Sequence, residues 1–257
     1  MGNDSIQQIQ QTHLTRFSNR AENYARHRPS YPQAIVHFLE DAFHLTTDYR
    51  IADIGSGTGL FTELLLKAGY NVLGIEPNEE MRLAAEKRLG HYDRFHSRNR
   101  TAENTGLRSE SIDLITVAQA FHWMDADAAK KEFNRILKPG AKIVLGWNVR
   151  KNDTEFLEEY QQLKANFGID YDPTGKINEA AIQRFFQPAS VQSIKFSNTQ
   201  WLDFDSLKGQ LLSSSYIPLP GHPSYDAMIS TLVSLFVLYN ENGFVRMDYE
   251  TKLYWSN

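Results

Sequence analysis

The 257-residue chain contains no cysteine. Disulfides, a thiolate nucleophile and any cysteine-ligated zinc are therefore excluded, and no metal site is expected. The chain also lacks an excess of positive charge. Lys and Arg number 27 against 31 Asp and Glu, for a net charge of −4, and the two signs are interspersed. Proteins that hold nucleic acid by neutralising phosphates show a basic face, so no nucleic-acid partner is expected. Apolar runs long enough to span a bilayer are missing. The longest, near Met228 to Tyr239, is broken by Ser230, Thr231 and Ser234, and no membrane association is expected. The opening "MGNDSIQQIQQTHLTRF" has no basic stretch followed by an apolar one, so it does not read as a secretory signal, and a cytoplasmic location is the expectation. Repeats and low-complexity tracts are lacking too. What the chain has is 41% hydrophobic residues, enough for a sizeable core.

From about Arg50 to Trp147 the pattern alternates between short apolar runs and segments of helical periodicity. Tyr49–Ile54, Tyr70–Ile75, Phe95–Arg100, Ile112–Ala118 and Lys142–Trp147 read as strands. Leu60–Ala68, Glu79–Leu89 and Ala126–Leu137 read as helices. Gly69 and Gly90 stop two of the helices, Asn78 is placed to cap one, and "ILKPG" reads as a helix stop and turn before the fifth strand. Strand–helix repetition at this spacing implies right-handed crossovers and a parallel sheet. Helical segments are expected at Gln7–Ala25 and Gln33–Phe43, and after the fifth strand at Thr154–Phe167, Ile177–Phe186, Phe204–Ser213 and Tyr225–Asn240. Val191–Leu202 and Phe244–Trp255 complete the set as strands, the last antiparallel. The expected fold is α/β, a Rossmann-like, doubly wound, seven-stranded sheet with helical cap elements. Its parts are an N-terminal helical lid segment (1–48), a cofactor-binding core (49–149), a helical cap insertion (150–190) and the remaining strands and helices (191–257), which carry part of an acceptor pocket.

The most informative motif is "IADIGSGTG", Ile51 to Gly59. A chain leaving a buried strand for a helix, with its backbone close to a ligand, needs glycine there. Dinucleotide folds use such a loop to receive a pyrophosphate. Here Asp53 lies just before the loop, where its charge would repel phosphate but suit a cationic ligand. Glu76 ends the second strand, a position from which a carboxylate can accept hydrogen bonds from ribose hydroxyls.

Asp53-Ile54-Gly55-Ser56-Gly57-Thr58-Gly59, Glu76 in "GIEPNEEM", "TAENTGL", "DLITVAQAFHW" and "ILKPG" together resemble class I S-adenosylmethionine-dependent methyltransferases of the small-molecule type. The resemblance is close from Phe17 to Trp147 and looser beyond. It implies S-adenosyl-L-methionine as cofactor and methyl transfer by in-line displacement to a small-molecule acceptor, such as a carboxylate or hydroxyl compound, in a monomer or homodimer. It also implies roles. Gly55, Ser56 and Gly57 would line the methionine portion, Asp53 would sit near the amino group, Glu76 would bind the ribose, and Pro77 would flank adenine. Where many members carry an adenine-reading Asp this chain has Thr101, so Ala102 and Glu103 are named instead, with plain solvent exposure as the other reading of Glu103. Gln119 would reach the methionine end or the acceptor. Tyr24 and Arg28, in "FSNRAENYARHRPSYP", would belong to a lid, with Arg28 near the cofactor carboxylate.

Beyond Gln119 the chain carries Phe121, His122 and Trp123 in succession. Phe121 and Trp123 are candidates for an aromatic wall facing the acceptor, although Phe121 equally suits a hydrophobic cap on the sheet. His122 is either a base or a shaping residue, since a base needs a partner and a geometry. Tyr216 and Ser215, in "LLSSSYIPLPGHP", would border the acceptor. Two other readings stand beside the enzyme: a non-catalytic S-adenosylmethionine-binding protein, and an NAD-type oxidoreductase, which Asp53 and the Gly-x-Gly-x-Gly spacing disfavour.

Overall fold

A computed structural model describes residues 25–169, 171 and 177–256. The expected helix Gln7–Ala25 lies almost wholly outside them. The elements, in chain order, are α1 (Ala34–Phe43), β1 (Arg50–Ile54), α2 (Leu60–Lys67), β2 (Asn71–Ile75), α3 (Glu79–Leu89), β3 (Phe95–Arg98), β4 (Ile112–Ala118), α4 (Ala126–Ile136), β5 (Leu137–Arg150), α5 (Glu155–Phe167), α6 (Glu179–Phe186), β6 (Val191–Leu202), α7 (Phe204–Leu212), α8 (Tyr225–Tyr239) and β7 (Val245–Ser256). The sequence supplies local reasons for several boundaries. The side chains of Asn78, Asp125, Thr154, Asn178 and Asp203 each accept a hydrogen bond from a backbone N–H in the first turn of the helix they precede. These groups satisfy donors that the helix itself leaves unpaired.

The strands form one sheet in the order β3-β2-β1-β4-β5-β7-β6. The pairs from β3 through β5 are parallel, and β7 runs antiparallel between β5 and β6. This is the seven-stranded Rossmann-like arrangement, with the last strand antiparallel as its alternating pattern suggests. Apolar side chains cover both faces of the sheet. Ile54, Ile75, Val117 and Phe133 belong to one buried cluster, while Ile51, Val72, Leu114 and Leu65 belong to another. A third cluster joins α5, α7 and α8 to the long β6–β7 hairpin through Leu157, Leu207, Leu232 and Met247. Helix α6 packs instead on the first cluster, through Ile182, Phe185 and Phe186.

One local expectation is corrected. "LKPG" is not a turn that separates helix from strand. Leu137 already pairs with Ile112, residues 138–141 bulge out, and the ladder resumes with Lys142 opposite Leu114. Pro139 cannot donate to a ladder, and Gly140 has φ +80, so the bulge falls where backbone pairing is weakest. Among the described residues no helix is long and apolar enough to cross a membrane.

Candidate functional site

The order of the strands reverses direction between β1 and β4, and open α/β sheets bind ligands beyond the carboxyl ends of strands at that crevice. The glycine loop lies there, between β1 and α2. The N–H groups of Gly55 and Ser56 both donate to the Ile75 carbonyl, at 2.8 and 3.2 Å, which ties the loop to the end of β2. Gly55 has φ +66, and a Cβ there would lie 2.4 Å from the Ala120 Cβ, so the loop presses directly on the segment after β4. Gly57 has φ +56 and would present a Cβ to open space, with nothing within 4 Å. The first glycine thus serves packing, and the second leaves bare backbone beside a cavity.

Two carboxylates flank this loop. Asp53 is buried, and its two oxygens accept hydrogen bonds from Thr62 at 2.6 Å and Thr116 at 2.9 Å, which links β1 to α2 and β4. Glu76 accepts from the Gly57 N–H on Oε2 and from the Asn78 N–H on Oε1, both at 2.8 Å. A carboxylate has about four lone-pair sites, so each oxygen of Glu76 keeps an acceptor direction unused by these bonds. Burial raises both acids, each to about 6. Donated hydrogen bonds oppose the rise in both, and the nearby Asp53 charge adds to it at Glu76. Burial that outweighs hydrogen bonding marks a site primed for a donor or a cation.

These groups line a cleft of about 380 Å3. It brings together Asp53, Gly55, Ser56, Gly57, Glu76, Pro77, Ala102, Glu103, Gln119 and Trp123 of the residues singled out from the sequence. Sequence reasoning did not single out Thr58, Leu60, Phe61, Asn78, Met81 and Met124, which complete the walls. Trp123 lines this cleft together with Thr101, Ala102 and Glu103. Glu103 accepts from the Asp125 N–H at 3.0 Å, so its carboxylate also supports the start of α4. Gln119 has φ +60, a conformation seldom adopted by a side-chain-bearing residue. Its N–H donates to Gly146 and its amide to the Asn148 carbonyl at 3.0 Å, which fixes the turn at the cleft.

Tyr31, Leu60 and Gln119 are shared with a second chamber of about 670 Å3. Its walls come from the segment before α1, the end of β5, the middle of α5, and the region after α7. Arg28 lies here and not in the first cleft; it donates to Ser214 Oγ at 3.2 Å. Tyr216 also lines this chamber, whereas Ser215 does not and Ser214 does. The segment before α1 is tied down by side chains of the sheet and helices. Asn198 and Asn148 donate to the Ser30 carbonyl at 2.7 and 3.1 Å, and Arg88 donates to the Ala25 carbonyl at 2.9 Å.

Besides Ser215, two sequence candidates lie in neither space. Phe121 is buried in the core, edge-on to Trp147 and Phe185, because the chain coils into a short 3-10 turn over Phe121–Trp123 that rolls this ring inward. The same turn sets the His122 ring against Trp123, with centroids 4.5 Å apart, and leaves it outside both sets of lining residues. The roles suggested for Phe121 as acceptor wall and His122 as base have no support from this placement. Tyr24 falls outside the described residues.

Comparison with known proteins agrees with this geometry. Residues 52–145 match the model of a methyltransferase domain. An uncharacterized methyltransferase of Mycobacterium tuberculosis is 33% identical over 234 residues, which cover 88% of this chain and 89% of that protein. One of Schizosaccharomyces pombe is 31% identical over 148 residues, or 57% of this chain and 58% of the relative, so the match there spans less than two thirds of its length. A solved protein from Anaeromyxobacter dehalogenans shares the fold with a TM-score of 0.68 at 20% identity, over 90% of this chain and 97% of its own. Taken with the glycine loop, Glu76 and the seven-stranded sheet, these similarities establish that the chain belongs to the class I S-adenosylmethionine-dependent methyltransferases.

Proposed function

We propose that the protein methylates a small-molecule acceptor, using S-adenosylmethionine bound in the cleft at the ends of β1, β2 and β4. The observation that carries this reading is Glu76, whose two oxygens are aimed by the Gly57 and Asn78 N–H groups while keeping further acceptor capacity, beside backbone at Gly57 with open space above it. A ribose needs such an acceptor pair. A dinucleotide pyrophosphate would meet the buried Asp53 behind the loop instead. The residues present therefore fit the cofactor.

When bound, S-adenosylmethionine supplies an electrophilic methyl carbon on a cationic sulfur, and the electron pair of the broken C–S bond stays on sulfur. The chain's own part is to place groups. Glu76 holds the ribose. Asp53 gives the floor a negative charge suited to a cation. The backbone of Gly55 to Gly57 lies against the methionine part, and Pro77, Ala102 and Trp123 form an apolar wall for the base. Gln119, held by Gly146 and Asn148, stands where the cleft meets the second chamber, which is of a size typical for a small-molecule site. Alignment across that opening, with water excluded by Tyr31, Leu60 and Phe61, is the main catalytic contribution expected for a displacement that disperses charge. Calorimetric titration with S-adenosylmethionine, S-adenosylhomocysteine and NAD tests the reading. Micromolar binding of the first two is expected; preference for NAD would refute it.

A further inference from the structure

The second chamber collects positive charge. Arg150, at the end of β5, and Lys164, in the last turn of α5, both line it. The Arg150 guanidinium carbon lies 5.1 Å from the Tyr160 ring centroid, and Lys164 Nζ lies 5.5 Å from the same centroid, so one buried ring is shared by two cations. Among the described residues neither is paired with a carboxylate within 4 Å. Arg150 donates one N–H to Gln161, and its buried Nε has no hydrogen-bond partner. Lys164 is only 7% exposed. Burial, and then the charges of Arg150 and Arg28, hold its ammonium well below the ordinary lysine range. Arg150 and Lys164, the second of them buried, raise each other's energy across this one ring. Burying unpaired charge is costly, and a protein tolerates it where a ligand supplies the counter-charge.

We propose that the second chamber receives the methyl acceptor as a carboxylate, anchored between the Arg150 guanidinium and the Lys164 ammonium. The proposal rests on the methyltransferase reading for the acceptor's role, but the binding site itself does not depend on it. A carboxylate pairs with the Arg150 guanidinium in the planar geometry that this group favours. Arg28 stands beside the same chamber, bonded to Ser214. A phosphate fits less well. Phosphate sites draw on backbone N–H groups at helix N-termini, and the α6 N-terminus that borders this chamber carries Glu179, whose charge penalises a phosphate group, with nearly two negative charges on one centre, more than a carboxylate group, with one. Tyr216 and Tyr249, also on the walls, can donate further hydrogen bonds.

The test is calorimetric titration of the full chain, saturated with S-adenosylhomocysteine and also without it. The probes are succinate, glutarate and citrate, the neutral diamide of glutarate, and glycerol 3-phosphate. At least one carboxylate is expected to bind, with the diamide and the phosphate ester weaker. Lys164→Met and Arg150→Met should each weaken carboxylate binding about 30-fold or more, the usual consequence of losing a charged hydrogen bond, and Lys164→Arg should restore most of it. Both Met variants should bind S-adenosylhomocysteine within about twofold of wild type, because the cations lie outside the first cleft. Failure of every carboxylate to bind, tighter binding of the diamide or the phosphate ester, or unchanged carboxylate affinity in both Met variants overturns the proposal. Loss of S-adenosylhomocysteine binding by the wild-type protein would count against the cofactor reading alone.

Discussion

Replacing Glu76 by Gln separates what this residue does for the fold from what it does for the ligand. In the folded protein its oxygens accept from two backbone N–H groups at 2.8 Å. Glutamine keeps one acceptor oxygen and turns an amide toward the other N–H, leaving a buried donor unsatisfied at a cost of about 1–3 kcal/mol. Against that, Glu76 titrates at about 6 in place of 4.5, so holding it ionised above neutrality already costs the fold about 2 kcal/mol, which the neutral amide removes. The two effects nearly cancel, and the melting temperature of Glu76→Gln at pH 7.5 should stay within about 4 °C of wild type. Ligand binding has no such compensation. Ribose hydroxyls lose a charged acceptor worth about 1.5–3 kcal/mol, so the Kd for S-adenosylhomocysteine should rise about 10- to 150-fold. Calorimetry for affinity and thermal unfolding for stability, on the same preparation, give both numbers. A variant that melts normally and binds the nucleoside with unchanged affinity would refute the assignment of Glu76 to the ribose.

The same acids set a pH dependence. Their folded pKa values lie above the ordinary carboxylate range, so their contribution to stability is fully present below about pH 4 and is lost as pH rises through about 6. Cofactor affinity should run the other way, since ribose hydroxyls and a cationic sulfur prefer the ionised forms. It should rise with pH through about 6 by up to roughly 30-fold and level off above 7, if binding returns Glu76 to its ordinary value; a flat profile from pH 5 to 8 would contradict this. Gly57→Ala should lower stability by only about 1–2 kcal/mol, the cost of a left-handed alanine, yet impair cofactor binding, because its methyl would enter the cleft. Gly55→Ala adds a collision with Ala120 and should unfold far more readily in a denaturant titration. His122→Asn should keep cofactor affinity and most turnover in a labelled-methyl assay, since the ring lines neither space; a loss of roughly 100-fold or more would restore it as a base. Lys164→Met should raise the melting temperature, as it removes a buried, unpaired charge.

Much of this molecule is legible in its residues alone, for a definite reason. The βαβ core is written in local patterns: apolar runs of strand length, helical spacing, Asn78 and Asp125 as caps, and Gly55, Gly57 and Gly59 where the backbone takes positive φ. Because parallel strands bring their carboxyl ends to one edge, Asp53, Glu76 and Gln119 were bound to meet once the strands were recognised. The long β6 and β7 were equally clear from alternation. What sequence could not decide is which way a side chain turns where no period governs it. The 3-10 turn after Gln119 sends Phe121 into the core, sets Trp123 in the first cleft and leaves His122 in neither space, and three adjacent residues give no periodicity from which to read that. The "LKPG" bulge depends on pairing with β4, a partner 25 positions away at Ile112. Above all, the second chamber brings Arg28, which the sequence assigned to the cofactor, together with Arg150 and Lys164, which read in sequence as ordinary solvated charges. Only the packing of α5 and α7 against the β6–β7 hairpin buries Lys164 and half-buries the two arginines beside it, which no local pattern in the sequence foretells.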